Sequence, residues 1–534
     1  MAKYIFVTGG VVSGLGKGIT AASLGKLLRL RGYKVSVQKI DPYLNVDPAT
    51  MSPYEHGEVF ITDDGAATDL DIGHYERFLD INCSYQSDIT SGQIYSKVLA
   101  KERNGEYNGL TVQIVPHVTN EIKQFMRDIG VGQDIVIIEI GGTVGDLEQA
   151  VYIEAIRQFR RELGANNSVS VHVTLIPYIA SSGEIKTKPT QNSVKDLQRQ
   201  GVFADVLVCR TTADVELGQE HRDKIAMFCG LDNQEDVIHN RDCRTIYEVP
   251  LMFAKQNFDA IVLQKLNLKL NKCDLTAWAQ MVDKLCDESL PEATIAIVGK
   301  YAEVADAYIS VAEALKHAGI VNNVRLKTKL VSAEKIEVDG AEAWLKDVDG
   351  VIVPGGFGSR GFEGKVAAIK YVRENEIPCL SIGLGMQAAV VEFARNVCGL
   401  KDANSTEFVT ELKNPVVNTK DGKKRAGLYD CQIKSGSVVA KLYNQTNIQE
   451  RHHHCYEINN EYLDQLAQNG LVASGIHPKE KFIDIIELPN HAFFVGCQFH
   501  PEFISRPQRP HPLFDGLIAA VVKRLPRQGE FDLK

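Results

Sequence analysis

Short apolar runs alternate along the chain with longer segments of helical periodicity. The first run, at 4–8, is followed by a helical pattern at 17–31, and further apolar runs lie at 35–38, 134–140, 170–175 and 203–209. This alternation predicts a parallel sheet covered by helices. A second series begins at 294–299 and continues through 350–356 and 378–387.

The stretch between the two series is polar, with interspersed Lys, Asn and Asp residues. A chain of 534 residues is too long for one core. We therefore predict an α/β protein of two domains, each with a mainly parallel, doubly wound sheet. The predicted boundaries are a first domain at 1–266, a linker at 267–292 and a second domain at 293–534.

Composition narrows the class of partner. The net charge is 59 − 68 = −9, which argues against a nucleic-acid-binding surface but leaves nucleotides possible, since a few local cations can hold them. No apolar run approaches the ~20 residues of a membrane span, and the start shows no signal-peptide pattern. The eleven Cys residues form no C-x-x-C pair. We expect a reduced cytoplasmic protein without membrane or nucleic-acid partners.

A glycine-rich segment, GGVVSGLGKGIT, follows the first predicted strand and opens a helix. Glycines let backbone N–H groups approach phosphates, the helix N-terminus favours anions, and Lys17 adds a charge. The spacing departs from a strict Walker A motif, and a strand–helix turn without a ligand remains the alternative. The candidate phosphate-binding residues here are Gly14, Leu15, Gly16, Lys17, Gly18 and Ile19, to which the family resemblance described below assigns ATP.

Two acids are candidate Mg²⁺ ligands. Asp71 lies in DDGAATDLDIGHYERF, and Glu139 lies near the carboxyl end of an apolar strand, where open α/β sheets gather their ligands. Mg²⁺ takes one or two carboxylates together with substrate phosphates. Either acid alone would more often be a solvated loop residue.

The segment EIKTKPTQ carries two further cations, Lys186 and Lys188. In an extended segment these side chains lie on one side, because strand side chains alternate. With Pro189 limiting helix formation, the segment is predicted to be a rigid clamp for a triphosphate. A solvated loop is the alternative.

Six long segments together resemble the synthetase domain of the CTP synthases: TGGVVSGLGKG, KIDPYLNVDPATMSPYEHGEVF, GHYERF, TVQIVPHVTNEI, EIGGTVGD and EIKTKPTQ. The resemblance covers essentially the whole chain. It implies a P-loop-like, ATP-dependent synthetase domain followed by a flavodoxin-like class I glutamine amidotransferase domain. CTP synthases phosphorylate O4 of UTP with ATP and then displace the phosphate with ammonia.

Carried over by resemblance, Lys17 and Lys39 would be catalytic, and Asp71 and Glu139 would hold Mg²⁺ beside ATP. Asp242 would line the adenine. The resemblance places UTP or the product CTP at Ser13, Asp146, Leu147, Glu148, Lys186, Thr187, Lys188, Pro189, Thr190, Gln191 and Lys224.

The second half resembles a glutaminase that lacks its nucleophile. PGGFGSRG matches the oxyanion-hole strand, with Gly355 and Gly356, and QFHPE supplies His500 and Glu502 as base and orienting acid. The family's elbow reads G-I-C-L-G-M-Q, whereas this chain reads SIGLGMQ. Leu384 and Gln387 are kept, but Gly383 replaces the cysteine, so no acyl-enzyme can form. Cys379, further back on the strand, is interpreted as a core residue.

Other departures affect glutamine use. Cys455 stands where the family has an arginine for the glutamine carboxylate, which a thiol cannot replace. Glu407, another glutamine contact, remains. Asn104, Asn108 and Ala67 also depart from the family pattern, in positions linked to ammonia delivery and to the acidic segment. Arg360 matches the GTP-associated residue, and whether GTP acts as an effector stays open.

Three hypotheses follow from the sequence. The first is a CTP synthetase that uses free ammonia because its glutaminase is degenerate. The second is a related ligase that adds another amine to give an N4-modified cytidine nucleotide. The third is a non-catalytic regulatory paralog that co-assembles with an active CTP synthase. The resemblance also implies a homotetramer and the capacity to form filaments.

Overall fold

The computed structural model describes residues 2–12, 14–179, 181, 183–211, 215–409, 411–419 and 422–525. These residues form two compact units, one of 1–50 and 71–282, the other of 51–70 and 283–534. The segment 51–70 therefore packs with the C-terminal unit although it lies early in the sequence. The domain and linker boundaries given above stay predictions.

The strands, numbered in chain order, are β1 Lys3–Gly9, β2 Val35–Asp41, β3 Phe60–Ile61, β4 Ala67–Thr68, β5 Asp88–Thr90, β6 Ile135–Ile140, β7 Ser168–Ile176, β8 Tyr178–Ile179, β9 Glu184–Ile185, β10 Val206–Thr211, β11 Val237–Asn240, β12 Glu292–Gly299, β13 Arg325–Ser332, β14 Gly350–Val353, β15 Cys379–Ile382, β16 Asn404–Ser405, β17 Pro415–Asn418, β18 Arg425–Ile433, β19 Asn447–His454, β20 Glu457–Ile458, β21 Val472–Ile476, β22 Ile483–Glu487 and β23 Phe494–Cys497.

The α-helices are α1 Lys17–Leu30, α2 Pro53–His56, α3 Leu70–Leu79, α4 Ser91–Arg103, α5 Thr119–Asp128, α6 Ala150–Leu163, α7 Lys188–Arg199, α8 Gln219–Cys229, α9 Val249–Lys255, α10 Phe258–Lys265, α11 Thr276–Leu285, α12 Ile309–Asn322, α13 Ala333–Asp339, α14 Glu342–Leu345, α15 Phe362–Glu374, α16 Leu384–Asn396, α17 Val438–Tyr443, α18 Leu463–Gln468 and α19 Pro512–Arg524.

The first unit is built on a parallel sheet in the order β11-β10-β7-β1-β6-β2-β5. Its central strands are buried on both faces, and β6 is buried along its whole length. Such strands read as continuous apolar runs, which is why the sequence pattern located them. The strand order reverses beside β1, and the carboxyl ends of β1 and β6 lie together at that point.

The second unit holds a larger sheet in the order β13-β12-β14-β15-β23-β22-β21-β18-β19. The five strands from β13 to β23 are parallel, and the remaining neighbours are antiparallel. Helices cover both faces, and apolar clusters fill the space beneath them. The prediction of two α/β units with mainly parallel sheets is confirmed.

Helix α11 lies within the polar stretch that the sequence assigns to a linker. Trp278 on this helix is buried and donates a hydrogen bond to the Tyr247 carbonyl at 2.8 Å. Its ring also packs against Phe78 and Tyr247. Part of the polar stretch is therefore ordered against the first unit. Among the described residues, no helix is both long and apolar enough to span a bilayer.

Candidate functional site

The glycine-rich loop lies at the carboxyl end of β1 and leads into α1. Gly14 and Gly16 adopt φ values of +71° and +80°, which glycine reaches without strain. Lys17, the first residue of α1, is buried and donates to the Gly142 carbonyl at 2.8 Å. A Cβ on Gly9 would lie only 2.7 Å from the Lys17 side chain. The loop is thus shaped to present backbone N–H groups and one lysine to an anion.

The remaining predicted ATP-loop residues surround this turn. Leu15 is buried, Gly18 lies in the first helical turn, and Ile19 is half-buried. A Cβ on Gly18 would lie 2.4 Å from the Asp71 carboxylate, so only glycine lets α1 approach that acid. Ser13, predicted to contact UTP, lies outside the described residues.

The structure brings the two candidate metal ligands, Asp71 and Glu139, close to Lys17 and Lys39. Lys39, at the carboxyl end of β2, forms an ion pair with Asp71 at 2.7 Å and approaches Asp41 at 3.8 Å. Glu139 accepts a hydrogen bond from the Tyr75 hydroxyl. Burial raises the pKa of Glu139 to about 7, and the charge of Asp71 adds to that rise. Burial would also raise the Asp71 pKa, but Lys39 and other nearby cations outweigh it and lower that pKa.

This arrangement fits a divalent cation. Glu139 is buried and Asp71 is half-buried, and a cation between two carboxylates whose charges repel each other stabilises both. Within the described ranges, no group of three or more His, Cys, Asp or Glu residues forms a complete metal cage. A cation bound by Asp71 and Glu139 would therefore take its other ligands from water and nucleotide phosphates, as Mg²⁺ does.

The segment with Lys186 and Lys188 differs from the expected extended clamp. Only Glu184–Ile185 is a strand, and Lys188 is already the first residue of α7. The expectation that Pro189 limits helix formation is wrong. Proline is accommodated in the first turn of a helix, because the N–H groups there have no acceptor within the helix and the missing N–H of proline costs no hydrogen bond. Lys186 is exposed and pairs with Glu184.

Threonines and a glutamine hold the start of α7. The Thr190 hydroxyl lies 3.1 Å from that of Thr174 on β7, and the Gln191 amide donates to Thr187 at 3.2 Å. The other predicted UTP or CTP contacts are exposed and lie on the turn after β6 and on α8, namely Asp146, Leu147, Glu148 and Lys224.

Sequence analysis did not identify one cation that lies beside the glycine-rich loop. Arg210, near the carboxyl end of β10, reaches to 3.2 Å from the position a Cβ on Gly16 would occupy. Its guanidinium donates to Asp242, the predicted adenine contact, at 2.6 Å. Arg210 therefore lies close both to Asp242 and to the glycine-rich loop. The available signal was its place at the carboxyl end of an apolar run.

The second unit contains a strand–turn–helix elbow with glycine at the position where the family resemblance implies a cysteine. Strand β15 ends at Ile382, Gly383 adopts φ +53°, and α16 begins at Leu384. A Cβ at position 383 would lie 3.6 Å from His500 Nε2. His500 Nδ1 in turn lies 2.7 Å from Glu502. The base and its orienting acid therefore face a position that has no side chain.

The residues that the sequence predicts to be remnants of a glutamine site line a cavity of about 30 Å³. Glu407 accepts a hydrogen bond from the Gly358 N–H at 2.6 Å. Cys455 is half-buried at the cavity wall, and Gly355 passes close to the His500 ring, where a Cβ would lie 2.9 Å from Cε1. The cavity is lined by Gly355, Gly356, Phe357, Gly383, Leu384, Gln387, Glu407, His453, His454, Cys455, Tyr456, Gln498 and His500.

Three neighbouring histidines on β19 alternate sides. His452 Nδ1 lies 3.0 Å from His454 Nε2, whereas His453 packs against Phe357. Burial lowers the pKa values of His453 and His454 to about 3.

Cys379 is fully buried, with a pKa raised to about 12 by burial, so it is the inert core residue that the sequence indicated.

Other family-related positions lie elsewhere on the two units. In the second unit, Arg360 pairs with Glu334 at 2.8 Å and lies over the Tyr301 ring. Ala67 pairs with Ile61 in the β3–β4 hairpin. In the first unit, Asn104 and Asn108 are exposed. Asn108 adopts φ +51°, a conformation that asparagine tolerates better than leucine.

Comparison with known proteins agrees with this architecture. The family profile described as CTP synthase N-terminus matches residues 3–268, and the profile described as Glutamine amidotransferase class-I matches 303–520. The fold and these matches define an α/β protein with a synthetase domain followed by a class I glutamine amidotransferase domain.

The full-length relatives narrow the class. A CTP synthase of Caldanaerobacter subterraneus is 52% identical over 98% of both chains. A CTP synthase of Methanocaldococcus jannaschii is 51% identical over 97% of this chain and 98% of its own. One of Staphylococcus epidermidis is 52% identical over 98% and 99% respectively. The chain belongs to the CTP synthase family, which confirms the resemblance seen in the sequence.

A solved structure also covers part of the chain. The Trypanosoma brucei CTPS glutaminase domain with bound acivicin is 38% identical, covers 44% of this chain and 95% of that chain, and has a TM-score of 0.42.

Proposed function

We propose that this protein is a CTP synthetase that takes its nitrogen from free ammonia. ATP transfers its γ-phosphoryl group to O4 of UTP, which converts a poor leaving group into a good one. Ammonia then forms a bond to C4, the C4–O4 bond breaks, and inorganic phosphate leaves with O4 as a proton is released. Family membership over nearly the whole chain supports the ATP and UTP chemistry.

The residues of the first unit suit these roles. Lys17 and the backbone of the glycine loop would bind the ATP phosphates, and Lys39 would approach the transferring phosphoryl group. The start of α7 would orient the UTP phosphates, because a helix N-terminus favours anions. Mg²⁺ held by Asp71 and Glu139 would neutralise charge that develops during transfer.

The loss of glutamine use rests on Gly383. Glutamine hydrolysis in this enzyme class begins with attack by a cysteine thiolate, which a neighbouring imidazole activates. Here the imidazole of His500 and its acid partner Glu502 are in place. Glycine at position 383 offers no sulfur or oxygen for the attack, so an acyl-enzyme cannot form.

One residue at the wall of the surrounding cavity supports the same conclusion. Cys455 lies there and offers no guanidinium for the glutamine carboxylate. Glu407, the other predicted glutamine contact, is kept and accepts a hydrogen bond from the Gly358 N–H. The nucleophile and the carboxylate partner are therefore both changed.

The test measures product mass with purified protein, ATP, Mg²⁺ and UTP, supplied with either ammonium chloride or glutamine. We expect CTP with ammonium only. Adding an independent glutaminase to the glutamine reaction is the control, and it restores CTP by releasing ammonia. A Lys39→Met variant, matched in length but without charge, is expected to lose CTP formation under every condition.

Robust CTP formation from glutamine alone would overturn the proposal. Substituted cytidine nucleotides from an amine panel, with no CTP from ammonium, would favour the alternative amine ligase. Absence of ATP turnover with every amine would favour the regulatory paralog. No specific observation favours either alternative. A homotetramer, filament formation, a GTP effector and a cytoplasmic location stay predictions.

A further inference from the structure

A buried histidine of the first unit joins two elements that are assigned to different nucleotides. His172 on β7 is fully buried. Its Nδ1 lies 2.8 Å from the Thr8 hydroxyl on β1, and its Nε2 lies 2.8 Å from the Ser193 hydroxyl on α7. One imidazole thus spans from the strand that leads into the glycine loop to the helix that begins at the predicted UTP clamp.

The imidazole is neutral in this setting. Burial and the nearby Lys17 lower the pKa of His172 to about 3. A neutral imidazole has one donor and one acceptor nitrogen, and each hydroxyl can serve in the complementary role. Both hydrogen bonds can therefore be made at once, whichever tautomer is present.

The glycine loop passes directly over this bridge. The Gly10 N–H donates to the Val173 carbonyl at 3.1 Å. A Cβ on Gly10 would lie 1.7 Å from the Ser193 hydroxyl and 3.3 Å from His172 Nε2. Displacing Ser193 or His172 would therefore disturb the first residue of the loop as well as α7.

Helix α7 has a second attachment to the sheet that does not reach β1. The Thr190 hydroxyl lies 3.1 Å from Thr174 on β7 and donates to the Leu175 carbonyl, also at 3.1 Å. This attachment lies one turn before Ser193, and it fixes α7 to β7 alone. The chain thus offers a matched control, since one attachment involves the glycine-loop strand and the other does not.

We propose that His172 is a positioning residue that couples binding of ATP at the glycine loop to binding of UTP at the start of α7. When ATP binds, the glycine loop becomes ordered around its phosphates, and Thr8 and Gly10 are held in place. Through its two hydrogen bonds, His172 then restrains Ser193 and with it α7. UTP therefore binds to a helix whose position is already fixed. The inference rests on the proposed function, because it takes the two nucleotide assignments from there.

The test is a binding measurement on the full chain by calorimetry. UTP affinity is measured with and without a non-hydrolysable ATP analogue and Mg²⁺. We expect the analogue to tighten UTP binding in the unmodified protein. Thr8→Val and Ser193→Ala each remove one end of the bridge, and each is expected to reduce the tightening by about tenfold or to abolish it, the effect of losing one buried hydrogen bond.

The bridge can also be tested at its centre. His172→Leu is expected to abolish the coupling, whereas His172→Gln, whose amide can reach Ser193, is expected to restore part of it. Thr174→Val, the matched control, is expected to weaken UTP binding equally with and without the analogue. Thermal unfolding of each variant identifies any that fail to fold. If a His172 variant fails to fold, Thr8→Val and Ser193→Ala provide the test.

The outcomes separate this inference from the proposed function. If the unmodified protein binds neither nucleotide, the proposed function fails. If it binds both and the analogue does not alter UTP affinity, the coupling is refuted. If it binds them cooperatively and Thr8→Val and Ser193→Ala keep the full coupling, His172 has only a structural role and the inference is overturned.

Discussion

Placing a thiol at position 383 of the elbow tests the proposal that this chain does not hydrolyse glutamine. In a Gly383→Cys variant the new Cβ would lie 3.6 Å from His500 Nε2, so the sulfur can contact the imidazole. The backbone there has φ +53°, which costs a non-glycine residue about 1–2 kcal/mol. For a unit of this size the melting temperature should fall by roughly 2–8 °C.

The new thiol should react faster than an ordinary one. A neighbouring imidazole that lowers a thiol pKa by about 1.5 units raises the thiolate fraction at pH 6.5 by roughly 20-fold. The lower basicity reduces the intrinsic rate by about fivefold. Alkylation by iodoacetamide at pH 6.5 should therefore be roughly four to five times faster than for a free thiol. Mass mapping of the modified cysteine provides the assay.

Glutamine should still support little or no CTP formation in this variant, because Cys455 offers no guanidinium for the glutamine carboxylate. Gly383→Ser is the matched control, with the same backbone strain and no thiol. Alkylation at the rate of a free thiol would refute the placement of His500 against position 383. Efficient use of glutamine by Gly383→Cys alone would refute the argument from Cys455.

The remaining predictions concern the candidate metal site, one ion pair and stability in acid. Tyr75→Phe removes the hydroxyl that donates to Glu139. The Mg²⁺ concentration that gives half-maximal activity should therefore rise about tenfold. Titration with Mn²⁺ in place of Mg²⁺ can measure the same change. Arg451→Met removes the buried partner of Asp63, paired at 2.6 Å, and the donor to the Ile61 carbonyl, and it should lower the free energy of unfolding by about 2 kcal/mol. His454 stays neutral when folded, with a pKa of about 3, so lowering the pH from 7 to 5 should remove about 2 kcal/mol of stability through this residue.

Each of these has its own control. Tyr371→Phe changes a tyrosine of the second unit and should leave the Mg²⁺ requirement unchanged. Arg199→Met breaks an exposed pair with Asp196 and should change stability by less than about 0.5 kcal/mol. An equal loss from this variant would contradict the weight given to burial.

The acid effect follows from the sign of the His454 shift. The unfolded chain binds a proton near pH 6.5 and the folded chain only near pH 3, so stability falls as the pH drops through that range. Urea unfolding at pH 7 and pH 5 measures it. A His454→Gln variant with undiminished pH dependence would contradict the assignment.

Much of the first unit could be predicted from local sequence. The apolar runs at β1, β6 and β7 were located because buried parallel strands are continuously hydrophobic. The glycine loop was found because phosphate binding needs close approach of the backbone. The start of α7 was misjudged, since proline was read as a helix breaker although it also begins helices.

The sequence by itself determined the fold class, the glycine loop and the absence of a nucleophile at position 383, since each depends on residue type or local periodicity. The tertiary structure alone decided which distant residues meet: Arg210 with the glycine loop, His172 between Thr8 and Ser193, and Arg451 with Asp63. These contacts follow from strand order and register. Strand order and register are not encoded in a local sequence pattern, because chain segments far apart in sequence become neighbours only when the sheet assembles.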